Sequence, residues 1–127
     1  VSEPFPVQCA ISACWMMPRR WIEKIGVLDE AYSPVQYEDL DWCYRARAAG
    51  SEIWALPSVE VFHFEHTTTG KSDDINFAYV TTKNGLTFKK RWSQMFQNEN
   101  GPGEDEATWK TLEKRNIEDV DWRVLLP

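Results

Sequence analysis

The sequence lacks the residue patterns that define disulfide-rich and zinc proteins. Its 127 residues include three cysteines, Cys9, Cys14 and Cys43, none of them in a CxxC pair, and two histidines. An odd cysteine count without paired spacing predicts neither a disulfide framework nor a structural zinc site. We therefore expect a reducing compartment, most simply the cytoplasm.

Positive charge and long apolar runs are also scarce. The net charge is −6, and the longest basic cluster is Lys89-Lys90-Arg91, which argues against non-specific binding to nucleic acid. No apolar run approaches the about 20 residues that a membrane-spanning helix needs. The chain shows no signal peptide and does not begin with Met, so we expect a processed or truncated piece of a longer protein.

Aromatic residues, by contrast, are abundant. The chain has seven Trp, six Phe and four Tyr, and 43% of its residues are hydrophobic. This composition predicts one globular domain with a real core. A domain of this size has difficulty burying so many rings, which indicates a surface that meets a ligand or a partner.

The hydrophobic patterns and the breaker residues predict alternating strands and helices. Pro18 and Gly26 bound one predicted helix, and Gly50 ends another whose first turn is acidic and whose later residues include arginines, as the helix macrodipole favours. The predicted strands are 7–17, 52–56 and 59–64. The predicted helices are 19–25, 38–49, 75–96 and 106–115, with loops at 26–34 and 67–74. In the helix 75–96, the expected core contacts are Phe77, Val80, Leu86, Phe88, Trp92 and Phe96.

The acidic helix start, Glu38-Asp39-Leu40-Asp41, is the strongest candidate for chemistry. A carboxylate at a helix N-terminus is accessible, rigidly aimed and kept ionised by the helix, which suits a general base. Acids are also ordinarily enriched in this turn, so capping the helix is the alternative explanation.

These acids belong to an ordered series of short motifs. Pro18-Arg19-Arg20 precedes the segment 25–30 (IGVLDE), which is followed by the acidic helix and by 45–50 (RARAAG); Pro57, Val61-Phe62-His63 and Thr67 come after them. In this order and spacing, residues 8–92 resemble the C-terminal, acceptor-side half of the family-2-like inverting glycosyltransferases of GT-A fold.

The resemblance implies a role for several side chains. Asp39 would be the catalytic base and Glu38 would assist it, while His63, at the end of a predicted strand, would complete the shell of a divalent metal, Mn or Mg; His66 is a weaker match. The implied substrate-binding residues are Asp29, Glu30, Asp41, Trp15 and Arg19. Trp42 and Trp54 could stack on a sugar, although core packing is the ordinary role of a tryptophan. The loop 67–74 is a candidate lid, and Tyr79 and Asn84 are expected to be structural.

The chain also departs from the family's pattern. No Asp-x-Asp follows an apolar strand, since 39–41 belongs to the base region and 119–121 to the tail. The main metal ligands and the nucleotide contacts are therefore expected in an N-terminal half that this chain lacks, so the isolated chain should be inactive.

The resemblance thus predicts an α/β protein with part of a GT-A fold, a small mixed sheet flanked by helices, and a C-terminal helical extension. The expected organisation is an acceptor-side half at 1–96, a linker at 97–105 and a helical tail at 106–127. The implied function is transfer of a sugar with inversion, from a nucleotide-sugar to a saccharide or lipid-linked acceptor, in bacterial polysaccharide biosynthesis, in the cytoplasm or at the inner face of the membrane. The alternative is a non-catalytic domain that binds saccharide or dimerises, covering with a second copy the surface that the missing half would cover.

Overall fold

The structure is a computed structural model that describes residues 3–63 and 74–99. Its elements, in chain order, are β1 (Phe5–Val7), α1 (Arg19–Ile25), a 3-10 helix (Glu30–Tyr32), α2 (Glu38–Ala48), β2 (Ile53–Ala55) and α3 (Phe77–Phe96). All of them belong to one compact unit, Val1–Gln97. The expected α/β class is confirmed, while the predicted tail and most of the predicted linker lie outside the described residues. No helix in the described part of the chain is long and apolar enough to cross a membrane.

The sheet is smaller than the sequence predicts. In the described residues it consists of β1 and β2, which pair antiparallel with Pro6 opposite Trp54. The strand predicted at 52–56 is confirmed in its centre. The strand predicted at 59–64 is wrong over 59–63, which form no strand, and residue 64 lies outside the described residues. Val59 and Val61 are exposed, so the β-branched residues of this segment do not mark a buried strand here.

The strand predicted at 7–17 is also wrong beyond Val7. Its backbone polar groups bond to side chains of α2 instead of to a neighbouring strand: the Ser12 amide donates to Asp39, and the Ala10 carbonyl accepts from Cys43. Met16 is 98% exposed, so the apolar residues of 7–17 are not all buried. A single-sequence pattern cannot distinguish a buried strand from an irregular segment fastened by side chains.

Helix α1 has the predicted bounds. Pro18 precedes its first residue, and Gly26 ends it with a φ of 84°, a left-handed conformation that favours glycine. The helix lies beside α2 because three side chains reach across. Arg45 donates to the carbonyls of Ile25 (2.6 Å) and Val27 (2.8 Å), the Trp42 indole donates to Gly26 O (3.0 Å), and Lys24 donates to Ala49 O (2.9 Å).

The core lies between α2, α3 and the 3-10 helix. It is built on Tyr32, Tyr44 and Phe88, and the Tyr44 and Phe88 rings meet edge to face with centroids 5.1 Å apart. The predicted core positions Val80 and Phe88 are buried, but Leu86 is 64% exposed. The prediction for Leu86 is wrong because that position lies on the solvent face of α3, two residues from Phe88 and Asn84, which face inward.

The Asp41 carboxylate joins all three of these elements. The side chain is fully buried, with 0% exposure, in the first turn of α2. One oxygen accepts from Tyr32 of the 3-10 helix (3.1 Å) and from Arg91 and Trp92 of α3 (both 2.8 Å). The other accepts from Arg45 at 2.8 Å. A buried carboxylate is tolerated when it is paired and hydrogen bonded in this way.

Replacing Asp41 should therefore destabilise the fold. In Asp41→Ala, the Arg45 and Arg91 guanidinium groups and the Trp92 indole lose a common acceptor inside the protein. We expect the free energy of unfolding to fall by about 3 kcal/mol, the scale for breaking a buried ion pair. Urea denaturation followed by tryptophan fluorescence measures it.

The matched control is Glu23→Ala, which removes the ion pair of Arg19 and Glu23 (3.0 Å) on the exposed face of α1. Exposed pairs contribute little, so this variant should unfold at nearly the wild-type urea concentration. Equal effects of the two substitutions would contradict a central role for Asp41.

Candidate functional site

The Asp39 carboxylate is held by backbone amides at the start of α2. One oxygen accepts from Leu40 N (2.8 Å) and the other from Ser12 N (3.2 Å). The side chain is half-buried, and two carboxylate oxygens together offer about four acceptor positions. Asp39 is therefore fixed in direction by two elements of the fold and keeps acceptor capacity for a ligand.

Glu38, the neighbouring carboxyl group, is in a different environment. Its Oε2 is buried and has no hydrogen-bond partner among the described residues. Burial is the main cause that raises the pKa of Glu38, and the negative charge of Asp39 adds to it, whereas amides of Glu38 itself and Gln36 oppose the shift. The two adjacent acids are thus unequal, and Glu38 holds its proton to higher pH than an ordinary glutamate.

The loop 33–37, which leads into this acidic turn, has an unusual backbone conformation. Gln36 and Tyr37 both have positive φ, 76° and 73°, and the Ser33–Pro34 peptide bond is cis. Positive φ costs a non-glycine residue on the order of 1–3 kcal/mol, so surrounding contacts must hold the loop in place. Tyr37, the residue before α2, makes no side-chain capping bond.

Asn84 of α3 supplies the first of those contacts. It is fully buried, and its amide nitrogen donates to the carbonyls of Tyr32 (2.5 Å), Val35 (2.7 Å) and Gln36 (3.1 Å). One side chain therefore clamps three backbone positions of the segment that leads into Glu38 and Asp39. The expectation that Asn84 is structural agrees with this arrangement; Tyr79, by contrast, is exposed.

Gly85, the next residue in α3, provides the second contact that holds the loop 33–37. A Cβ at this position would lie 3.0 Å from the Tyr37 hydroxyl oxygen and 3.2 Å from its Cζ. The absence of a side chain at 85 lets the Tyr37 ring lie directly against the backbone of α3. The glycine that weakens the helix pattern in the sequence is thus explained by a close contact with the loop.

Asp29 is tied into the same network from the other side. Its carboxylate accepts from Ala31 N (2.9 Å) and from Arg91 (2.8 Å), and Arg91 also bonds to Asp41. The Ala31 amide and then Arg91 lower the pKa of Asp29. Asp29 and Asp41, both predicted to contact substrate, are thus brought together through one guanidinium group.

The other predicted site residues lie in varied surroundings. Trp15 is half-buried with its ring centroid 5.6 Å from that of Trp42, and its buried Nε1 has no acceptor among the described residues. Arg19 and Glu30 are exposed, Arg19 being paired with Glu23, and His63 is exposed at the end of the first described stretch. The predicted substrate and metal contacts of these residues, and of the buried Asp41, stay predictions. His66 and all of the predicted lid 67–74 except residue 74 lie outside the described residues.

The described residues do not fit a divalent metal by themselves. Among them, no group of three or more His, Cys, Asp or Glu side chains converges on a point that could hold an ion. His63 offers a single imidazole, and one ligand is too few for either Mn or Mg.

Two features of the region were missed at the sequence level. The Cys43 Sγ donates to the Ala10 carbonyl oxygen (3.7 Å), although the two residues are 33 positions apart and no spacing motif marks them. Arg91 ends the basic cluster 89–91, yet it binds two carboxylates. Its place three residues after the core residue Phe88 puts it beside the inward-facing side of α3.

The comparisons with known proteins give two partial similarities. The chain is 33% identical over 82 residues to uncharacterized protein y4gI of Sinorhizobium fredii, which covers 64% of this chain and 9% of that protein. It is 28% identical over 79 residues to the low-salt glycan biosynthesis hexosyltransferase Agl10 of Haloferax volcanii, covering 62% of this chain and 25% of that one. The chain thus spans a quarter or less of the length of either relative.

No protein-family model matches the chain, and no solved structure gives a significant match. The similarity to the hexosyltransferase is weak and partial, and it suggests a glycosyltransferase in general terms. The GT-A fold expected from the sequence is not confirmed; the structure supports a small α/β unit with a two-stranded sheet and three α-helices.

Asn84→Asp should be strongly destabilising. The substitution keeps the shape of the side chain but replaces the donating nitrogen with an oxygen that faces three carbonyl groups. We expect the free energy of unfolding to fall by about 3 kcal/mol, because buried carbonyls lose their donor and a charge is buried without a partner. Lys89→Gln, on the exposed face of the same helix, is the control and should change little. A wild-type midpoint in urea for Asn84→Asp would contradict the clamp.

The pH dependence of Glu38 should have the opposite sign to that of a salt-bridged acid. Because burial raises the pKa of Glu38 above the ordinary glutamate value of 4.5, the folded state binds this proton more tightly than the unfolded chain does. The contribution of Glu38 to stability is therefore highest below pH 4.5 and declines as pH rises through the raised pKa.

An NMR titration that follows the Glu38 side-chain carboxyl carbon measures this pKa directly. We expect its midpoint above 4.5, the ordinary value for a glutamate. A midpoint below 4.5 would show that the amide hydrogen bonds outweigh burial.

Proposed function

We propose that this chain is the acceptor-side part of an inverting, family-2-like glycosyltransferase, with Asp39 as the base. It would act on the hydroxyl group of a saccharide or lipid-linked acceptor, to which a sugar is transferred from a nucleotide-sugar. The observation that carries the proposal is the Asp39 carboxylate, which is half-buried, fixed by amides from two segments and placed at a helix N-terminus. The weak similarity to a glycan biosynthesis hexosyltransferase supports the same class of reaction.

As a general base, Asp39 needs mainly a carboxylate oxygen held in the correct position. In an inverting transfer, the acceptor hydroxyl attacks the anomeric carbon, and a base takes its proton as the new bond forms. Two backbone amides fix the direction of the Asp39 carboxylate, and a free lone pair can accept the hydroxyl proton. The carboxylate lies at the N-terminus of α2, where the positive end of the helix dipole attracts negative charge.

Glu38 suits a supporting part. Since its raised pKa makes the protonated form more accessible, its carboxyl group can donate a hydrogen bond, whereas an ionised carboxylate only accepts. With Glu38 in its protonated form, the two side chains would offer one donor and one acceptor, which is the complement of a sugar hydroxyl.

In this proposal, the sites for the sugar donor and for the metal lie mainly outside this chain. The main metal ligands and the nucleotide contacts are expected in a part of the enzyme that is not in this sequence, and His63 would add one ligand to that site. The chain alone is therefore proposed to bind the acceptor but not to complete the transfer.

NMR chemical-shift mapping with the 127-residue chain tests the acceptor site. A panel of common monosaccharides and disaccharides should perturb the backbone amides of Ser12, Leu40 and their neighbours in a saturable way for at least one sugar. Asp39→Asn keeps the shape of the side chain but removes its charge, and we expect it to weaken the binding of that sugar about tenfold, since hydrogen bonds to charged groups are worth about 1.5–3 kcal/mol. Glu23→Gln, an exposed change on α1, should leave the affinity unchanged.

Absence of any saturable perturbation around Asp39 would contradict the acceptor site. A specific observation favours one alternative in that case: both described strands have an unpaired edge, and Trp54, Leu56, Val59, Val61 and Phe62 are exposed. Such edges and apolar side chains pair readily with another copy. Sedimentation showing a dimer, together with no saccharide binding, would favour the dimerising domain over the enzyme part.

A further inference from the structure

The two contacts that hold the loop 33–37 come from adjacent residues of α3, Asn84 and Gly85. The buried Asn84 amide donates to three backbone carbonyls in and next to that loop. Gly85 leaves room for the loop, since a Cβ there would lie 3.0 Å from the Tyr37 hydroxyl oxygen. The contacts of the fold therefore favour an asparagine followed directly by a glycine in the middle of a helix.

An asparagine followed by a glycine is chemically labile in an unfolded chain. Glycine has no side chain to shield its backbone nitrogen and rotates freely, so this nitrogen can attack the asparagine side-chain carbonyl carbon. A cyclic succinimide forms, the bond from Cγ to Nδ2 breaks, and the side-chain nitrogen leaves as ammonia with the glycine amide proton. Water then opens the ring at either carbonyl group, which gives aspartate or isoaspartate. One amide and one water thus give one acid and one ammonia.

The folded structure opposes each part of this reaction. Gly85 lies inside α3, where its nitrogen belongs to the hydrogen-bond ladder of the helix and is not free to attack. The leaving nitrogen of Asn84 is held by three carbonyl acceptors, at 2.5, 2.7 and 3.1 Å. The Asn84 side chain has 0% exposure, so water does not reach it. Deamidation of Asn84 therefore requires α3 to open.

We propose that Asn84–Gly85 is a deamidation site that reacts only when α3 separates from the loop 33–37, and that the reaction makes this separation irreversible. Aspartate at position 84 would place a carboxylate oxygen against three carbonyl oxygens that need a donor. Isoaspartate would in addition lengthen the helix backbone by one carbon atom. Either product removes the clamp on the segment that leads into Glu38 and Asp39. An effect on Asp39 as a base rests on the proposed function, but deamidation does not.

The first experiment measures the deamidation rate of the 127-residue chain in mildly alkaline buffer, with and without denaturing guanidinium chloride. Samples are digested with trypsin at mildly acidic pH, and the peptide 84–89, in which Asn84 is the one asparagine, is followed by mass spectrometry. In denaturant, Asn84 should react about as fast as Asn100, which is also followed by a glycine. In the folded protein, we expect Asn84 to react at least about a hundredfold more slowly than in denaturant, because a packed helix is rarely open.

The matched control is Gly85→Ala, measured in denaturant, where the variant does not need to fold. Its methyl group lies next to the attacking nitrogen and should slow the reaction of Asn84 severalfold, while the rate at Asn100 stays unchanged. The proposal is overturned if Asn84 reacts equally fast in the folded and the unfolded chain. It is also overturned if Asn84 in denaturant reacts no faster than Asn76, which is followed by Phe77.

A second experiment tests irreversibility. Chains partly deamidated in denaturant are returned to the highest urea concentration at which the unmodified protein is still folded, and folded and unfolded chains are separated by size-exclusion chromatography. We expect the modified form of the peptide 84–89 to be concentrated in the unfolded fraction and depleted from the folded one. Equal amounts of the modified peptide in the two fractions would show that the fold accepts an acid at position 84, which contradicts the proposal.

Discussion

The fold depends on burying one charge, that of Asp41. Two helices and a 3-10 helix donate four hydrogen bonds to a carboxylate with no exposed surface. Each of these donors is itself engaged elsewhere. Arg45 bonds to the end of α1 and Arg91 to Asp29, while the Tyr32 and Trp92 rings pack in the core. The burial of Tyr32, and then the negative charge of Asp41, raise the pKa of Tyr32, so the Tyr32 hydroxyl stays a donor. A buried charge with partners from every side fixes their relative positions, since losing any one partner leaves a polar group unpaired.

This network also explains how a short loop can hold an unfavourable backbone. Gln36 and Tyr37 keep positive φ because Asn84 binds the carbonyls around them and the Tyr37 ring lies against Gly85. Both contacts come from α3, and α3 is aligned with α2 through Asp41. The helix that contributes no acid to the candidate site therefore determines where its acids lie. Function at Glu38 and Asp39 is expected to be sensitive to changes in α3 that touch neither residue.

The sequence predicted the helices well and the strands poorly, for a physical reason. Helices α1 and α2 have local signals, such as Pro18, Gly26 and Gly50 at their ends and charges that follow the macrodipole. The segment 8–17 has no such signals, and its backbone finds partners in the side chains of α2, which no local pattern reveals. Asp39 and Glu38 were selected as candidates through the ordered motifs. Arg91, Asn84 and Cys43 acquire their roles through contacts with residues that are 33 or more positions away in the chain, and for Asn84 the separation is 48 to 52 positions.

Glu38, Asp39 and Asp41 lie in the same turn of α2 but in three different environments. This difference makes Asp39 the best candidate for a base. Asp41 is neutralised by two arginines and has no surface to offer a ligand. Glu38 has one buried oxygen without a hydrogen-bond partner among the described residues, and burial raises its pKa. Asp39 alone of the three combines partial exposure with a carboxylate oriented by two amides. If capping the helix were the purpose of all three, similar solvated positions would serve equally well. Separate environments for neighbouring carboxyl groups are instead what acid–base chemistry requires, because the acceptor of a proton must differ from the groups around it.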